Sequence, residues 1–288
     1  MQLSIVHDTV YRYGEAASLI IQALRMWPTP GDEQTVGEWQ VDVDGKRLQP
    51  TCVDGFGNQV ATHTIDRKVV AVRISVRGRV ETFDLQGVHR GRESLPPMFF
   101  LSCTDLTAPT PEIVELARSA VGGGSDLERL HRLVNAVRAK VDYLPHFTHA
   151  ETTAAEAFAA GAGVCQDHAH VLISAARSLD FPARYVSGYL YSVDAAAAAS
   201  HAWAEIFVKD LGWVGFDAAN RQSPDERYVR IAAGRDYRDA APVRGVHQGG
   251  IAETLEVEVN IAQRPAMTQS QSQSGSGQSQ SQRQSSGR

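Results

Sequence analysis

The chain has no run approaching the ~18 consecutive apolar residues that a membrane-spanning helix needs. Cysteine is scarce. Cys52, Cys103 and Cys165 are too few for a disulfide framework and odd in number, which fits free thiols in a reducing compartment. The charge balance lacks a basic excess: 28 Lys and Arg stand against 33 Asp and Glu, a net −5, whereas nucleic-acid binders carry a basic stripe. The opening Met1-Gln-Leu-Ser-Ile-Val-His-Asp8 alternates like a strand and lacks the basic and apolar regions of a secretory signal. No solenoid-type repeat is present. These absences predict a cytoplasmic protein with neither a membrane nor a nucleic acid as partner.

What is present divides the 288 residues into four stretches. Residues 1–83 alternate apolar with polar side chains, as at Trp39, Val41 and Val43, and are punctuated by Asp54-Gly55 and Gly57-Asn58. They predict an antiparallel, sandwich-like β domain. Residues 84–109 hold Gly87, Gly91, Pro96 and Pro97 without sustained period and predict a linker, packed through Phe99, Phe100 and Leu101. Residues 110–262 predict a core of helices on an antiparallel sheet, so the class is α+β. Its helices open at Thr110-Pro111 and at two capping boxes, Ser125 to Glu128 and Thr153 to Glu156. A further amphipathic helix follows Cys165, and strands follow at Arg184–Tyr191, His201–Val208 and Trp213–Phe216. Residues 263–288 include a stretch, Gln269 to Gln282, of Gln, Ser and Gly alone, which predicts a disordered tail.

Reactive side chains concentrate after Gly163. A thiol at the start of a helix meets free N–H groups and the positive dipole end, which favour the thiolate. Cys165 occupies that position, after glycines expected to allow a sharp turn and close approach of a substrate. A nucleophilic thiol also needs a base and a group to orient that base. His201 and Asp217 supply them if their strands form a hairpin. With the turn centred near 210.5, His201 would face Asn220, so Asp217 needs a bulge or a bent strand end to reach it. Asp167 reads as a first-turn acid with Arg184 as its partner. Cys52 and Cys103 read as ordinary thiols. His168 and His170 diverge on a helix, so they form no metal site with Cys165, and no metal or other cofactor is expected.

Several blocks together resemble the transglutaminase-like superfamily of cysteine peptidases and acyltransferases: Thr152 to Glu156, Gly163-Val-Cys165-Gln-Asp, Pro182 to Tyr189, Ser200-His-Ala-Trp-Ala-Glu205 and Gly212-Trp-Val-Gly-Phe-Asp217. The resemblance spans residues 1 to 262. It implies a β-rich N-terminal domain, Cys165 as nucleophile, His201 as base and Asp217 as orienting acid. The reaction implied is acyl transfer from an amide of a protein or peptide through a thioester, ending in hydrolysis or in transfer to an amine. A cysteine enzyme of this kind needs oxyanion donors, for which the Cys165 N–H comes first. Tyr143 leads Gln166 and Trp203 as the second, and Gln166, His168 and Trp203 are expected at the cleft. One departure stands out: Ala218-Ala219-Asn220 replaces the family's usual Pro-Thr-Asn, which predicts a less firmly held Asp217. A non-catalytic, peptide-binding descendant is the contrasting expectation.

Overall fold

The computed structural model describes residues 1–90, 94–193, 199–250 and 252–264. Its first part is all strand: β1 (Gln2–Leu24), β2 (Gln34–Val43), β3 (Lys46–Leu48), β4 (Cys52–Val53), β5 (Gln59–Ile65) and β6 (Val69–Thr82). Alternation chooses their faces. In β6, Val72, Ile74 and Val76 are buried while Arg73 and Arg77 are exposed, because successive strand residues point to opposite sides.

A short β7 (Val88–His89) leads into α1 (Pro111–Val121), α2 (Asp126–Lys140), β8 (Asp142–Tyr143), α3 (Ala154–Ala160), β9 (Ala162–Gly163) and α4 (Cys165–Arg177). Both capping boxes form as their spacing predicts. Glu128 accepts from the Ser125 N–H at 2.8 Å, and Glu156 from the Thr153 N–H at 2.8 Å. The amphipathic expectation for α4 fails: every residue from Asp167 to Arg177 is buried. A helix between other helices and a sheet has no wet face, and α4 packs against α1, α2 and α3 as well as the strands that follow. Arg177 ends it by donating to the carbonyls of Phe100, Ala183 and Arg235 and to the Thr107 hydroxyl. Those bonds tie residues 97–107 down over the core, where Phe100 meets Trp213 edge to face at 5.2 Å.

The sheet beneath α4 comprises β10 (Ala183–Leu190), β11 (Ala199–Val208), β12 (Gly212–Phe216) and β13 (Tyr228–Gly234), in the order β13-β10-β11-β12-β7. After α5 (Tyr237–Ala240), β14 (Val243–Gly249) and β15 (Glu253–Gln263) return to the N-terminal sheet. Both pair antiparallel with the long β1: β15 along Leu3–Tyr13, β14 along Ala17–Leu24. Residues 243–249 and 253–263, which follow the helices and the second sheet in the chain, are thus strands of the N-terminal sheet. Local alternation shows that a segment is a strand but not which strand it will join. Leu3, Ile5, Val80 and Ile261 share one apolar cluster with α1–α4, so the two sheets are built on a common core. Gln263 closes β15. The rest of the expected tail, from Pro265, lies outside the described residues.

Candidate active site

Cys165 is the first residue of α4, half-buried. Asp167 shapes the chain around it. One carboxylate oxygen accepts from the Val164 N–H at 2.7 Å and from the Thr148 hydroxyl at 2.5 Å, closing the helix start. Gly163 is small for this reason rather than for the turn or the substrate: a Cβ there would lie 2.6 Å from the Asp167 carboxylate. Arg184, the expected partner of Asp167, pairs instead with Glu205 at 2.6 Å, because Arg184 and Glu205 are directly opposed on β10 and β11.

His201 reaches Asp217 without a bulge. The β11–β12 register pairs Ala204 with Phe216 and Val208 with Gly212. Continued by one residue, it sets Asp217 opposite Trp203 and diagonal to His201 on the same face, and diagonal neighbours lie within side-chain reach. The His201 Nε2 donates to Asp217 Oδ2 at 2.7 Å. Cys165 borders the same cleft as His201 and acts on the imidazole through its charge and a hydrogen bond. Burial disfavours the imidazolium, but the Cys165 charge, hydrogen bonds to Asp217 and Cys165 and the Asp217 charge outweigh it and lift His201 to about 10. The same partnership works on Asp217 in reverse. Burial pushes its carboxyl up, yet hydrogen bonds from His201, Tyr228 and Asn220 and the charge of His201 hold it below the usual carboxylate range.

The turn after β12 supplies the support that the missing proline and threonine would give. Asp217 Oδ2 accepts from Asn220 Nδ2 and from the Tyr228 hydroxyl, each at 2.7 Å, while Oδ1 accepts from the Asn220 N–H at 3.2 Å. Gln222 donates to the Tyr228 oxygen at 2.6 Å, and Asp217 and Gln222 exchange backbone hydrogen bonds. Arg138 on α2 also holds the Ala219 carbonyl at 3.2 Å. Asp217 is thus firmly held, contrary to the expectation from Ala218-Ala219. Tyr228 has no local sequence signal; Asn220 had one, in the retained third position of the departed motif. Tyr228→Phe removes one hydrogen bond to a buried carboxylate, worth ~1.5–3 kcal/mol. It is expected to lower kcat about tenfold with KM unchanged, which steady-state kinetics would check.

The cleft over Cys165 and His201 encloses about 420 Å³. Tyr143 and Gln166 line it, as expected. Tyr143 is brought there by the parallel pairing of β8 with β9. Burial and the charges of Cys165 and Asp217 raise its phenol above the ordinary range, so its hydroxyl keeps its proton. His168 and Trp203 do not line the cleft. His168 is fully buried, with Nδ1 at 2.8 Å from the Val164 carbonyl and Nε2 at 2.9 Å from that of Val141. It fastens α4 to the end of α2. Trp203 stacks against His201 at 6.5 Å and 26°, and packs with Val186 and Tyr228. It backs the histidine. The opposite wall of the cleft comes from the N-terminal sheet: Thr9 and Tyr11 on β1, Leu255 and Val257 on β15. His7 on β1 bonds the Tyr189 hydroxyl of β10 at 2.8 Å and fixes that wall to the core.

Residues 114–218 match the family model of the transglutaminase-like superfamily, and residues 3–81 match that of the bacterial transglutaminase-like N-terminal region. The chain belongs to the transglutaminase-like superfamily. An uncharacterized Mycobacterium leprae protein is 28% identical over 286 residues, covering 91% of this chain and 99% of that protein. An uncharacterized Mycobacterium tuberculosis protein is 34% identical over 151 residues, 47% of each chain. A crystal structure from Cytophaga hutchinsonii, described as a candidate cysteine protease, superposes with a TM-score of 0.73 at 21% identity, covering 91% of this chain and 90% of that one. That likeness is one of fold. This transglutaminase-like chain is α+β, and its family and fold indicate cysteine-based acyl-transfer chemistry in general terms.

Proposed function

We propose that the chain is a cytoplasmic cysteine amidase or peptidase in which Cys165 is the nucleophile, His201 the acid and base, and Asp217 the orienting group. The observation that carries this reading is the 2.7 Å hydrogen bond from His201 to a buried Asp217, with Cys165 lining the same cleft and acting on the same imidazole. The Cys165 thiolate attacks the carbonyl carbon of a peptide or side-chain amide. His201 protonates the departing nitrogen, and a thioester remains. Water adds to the thioester with His201 taking its proton, and the C–S bond breaks. The Cys165 N–H, in the first helical turn where no intrahelical acceptor exists, faces the oxyanion, and the Tyr143 hydroxyl is the second donor. Hydrolysis is favoured over amine transfer because free cross-linking inside a cell would damage its own proteins.

Iodoacetamide gives the first test. Cys52 and Cys103 are exposed, so accessibility alone would make them react fastest. Peptide mapping is expected to show Cys165 alkylated fastest at neutral pH, and His201→Ala to abolish the difference. Equal rates for all three thiols in the wild type would defeat the activated-nucleophile reading. Incubation with casein and a fluorescent amine separates the two outcomes of the thioester: hydrolysis should exceed labelling, and both should require Cys165.

A further inference from the structure

A second cavity, of about 350 Å³, opens beside the catalytic cleft. Tyr11, Tyr237 and Val243 line both, so the two chambers border on one another. β15 passes between them, with Glu253 in the second chamber and Leu255 and Val257 in the cleft. The second chamber reaches Gln22 on β1. That residue alternates with Ile20 and Leu24, which belong to the apolar core of the N-terminal sheet. It is 3% exposed, and its carboxamide oxygen accepts no hydrogen bond among the described residues. A buried acceptor without a donor has lost its water and gained nothing in return, so such groups are rare in native folds. The neighbouring strand makes room for this one. Gly245 of β14 pairs with Gln22, and a Cβ there would lie 2.9 Å from Gln22 Cγ. Val243, two residues along β14, is the diagonal neighbour of Gln22 and borders the cleft.

The charged groups of the chamber are engaged with one another. Arg238 donates to Glu151 at 3.0 Å, His247 lies 3.6 Å from Glu253, and Arg244 donates to the Arg238 carbonyl at 3.4 Å. Gln22 is thus left for a neutral donor from outside, beside the apolar walls of Tyr11, Ile20 and Val246. A peptide N–H flanked by uncharged side chains has that character. We propose that the substrate is an extended peptide segment that runs from the catalytic cleft into this chamber, where Gln22 accepts a hydrogen bond from one of its backbone N–H groups. This rests on the reading of Cys165 as the nucleophile. It makes Gln22 a specificity residue. A short amide meets Cys165 and His201 but leaves Gln22 unpaired, and a site with a buried polar group discriminates against a substrate that cannot pair it.

The test is affinity labelling of the full chain, followed by peptide mapping. The probes are iodoacetamide and two blocked tetra-alanine peptides. One peptide carries an iodoacetyl group at its N-terminus, the other on the side chain of a C-terminal diaminopropionamide, so the peptide extends from the reacting carbon in either direction. Rates at Cys165 are taken relative to iodoacetamide on the same protein, with the exposed Cys52 and Cys103 as internal references for intrinsic reactivity. One peptide is expected to label Cys165 at least about tenfold faster than iodoacetamide, with no such advantage at the other two thiols. Gln22→Leu should cut that advantage about fivefold, and Gln22→Met, nearly the same shape as glutamine, should repeat the loss. N-methylation of the alanine whose N–H is received should cost the wild type about fivefold and the Gln22→Leu protein nothing more. An advantage that survives in both Gln22 variants overturns the role of Gln22. If neither peptide outpaces iodoacetamide while Cys165 still reacts faster than Cys52 and Cys103, the second chamber is not a substrate site and the proposed function stands. Equal iodoacetamide rates at all three thiols defeat the proposed function and this inference with it.

Discussion

Asp217→Asn is expected to lower kcat of the Cys165-dependent reaction about 10³–10⁴-fold while the protein stays folded. The asparagine amide fits the same space and can still meet Asn220 and Tyr228. It cannot stabilise an imidazolium by charge, and its NH₂ favours the wrong tautomer of His201. The pH profile separates this cause from a mere loss of packing. His201 is lifted to about 10, so the wild type keeps its imidazolium through neutral pH and loses it on an alkaline limb near that value. Removing the Asp217 charge moves that limb down, towards the ordinary histidine range. Stability follows the same sign: a raised histidine pKa contributes fully below its unfolded value near 6.5 and is lost as pH rises towards 10. The variant therefore unfolds less steeply with alkali than the wild type. An alkaline limb that does not move, or a kcat within about tenfold of wild type, would remove Asp217 from its role.

The separation of legible from illegible follows the range of the interactions. Capping boxes, the α4 start and the β11–β12 hairpin are local, and Ser125, Thr153, Cys165, His201 and Asp217 could all be picked from short stretches. The hairpin also shows a limit. A turn centre misplaced by half a residue suggested a bulge, whereas the true register makes Asp217 a plain diagonal neighbour of His201. His168 and Trp203 look like cleft residues because they sit beside Cys165 and His201 in sequence. In a helix buried on all sides and a strand packed on both faces, adjacency says little about which groups meet the ligand. Nothing local could point to Tyr228 under Asp217, or to Thr9, Tyr11, Leu255 and Val257 across the cleft. Those positions depend on β15 crossing back to β1, a pairing about 250 residues apart in the chain.

Glu205→Gln is expected to cost about 3–5 kcal/mol of stability with little loss of activity per folded molecule. Glu205 lies on β11, four residues from His201, and is 2% exposed. Arg184 Nε is 2.6 Å from one carboxylate oxygen and Arg230 Nε 2.8 Å from the other, so the anion bridges β10 and β13 to β11. Arg184 also lies over the Trp213 ring at 4.0 Å. Burial opposes the charge, but Arg184 and Arg230, with His89 beyond them, hold the carboxyl far below its ordinary range. Glutamine keeps the shape and leaves two cations in the interior without their anion, which is what makes breaking such a group costly. At ~2–4 °C per kcal/mol for a chain of this size, Tm should fall by roughly 10 °C. The acid limb tests the electrostatic origin. A depressed carboxyl pKa stabilises the fold above the unfolded value near 4.5 and loses that contribution as pH falls below it. Melting curves from neutral to acid pH should converge for wild type and variant, because protonation removes in one what substitution has removed in the other. Parallel curves would mean that Glu205 stabilises by shape alone, and an unchanged Tm at neutral pH would mean that the two arginines do not need it.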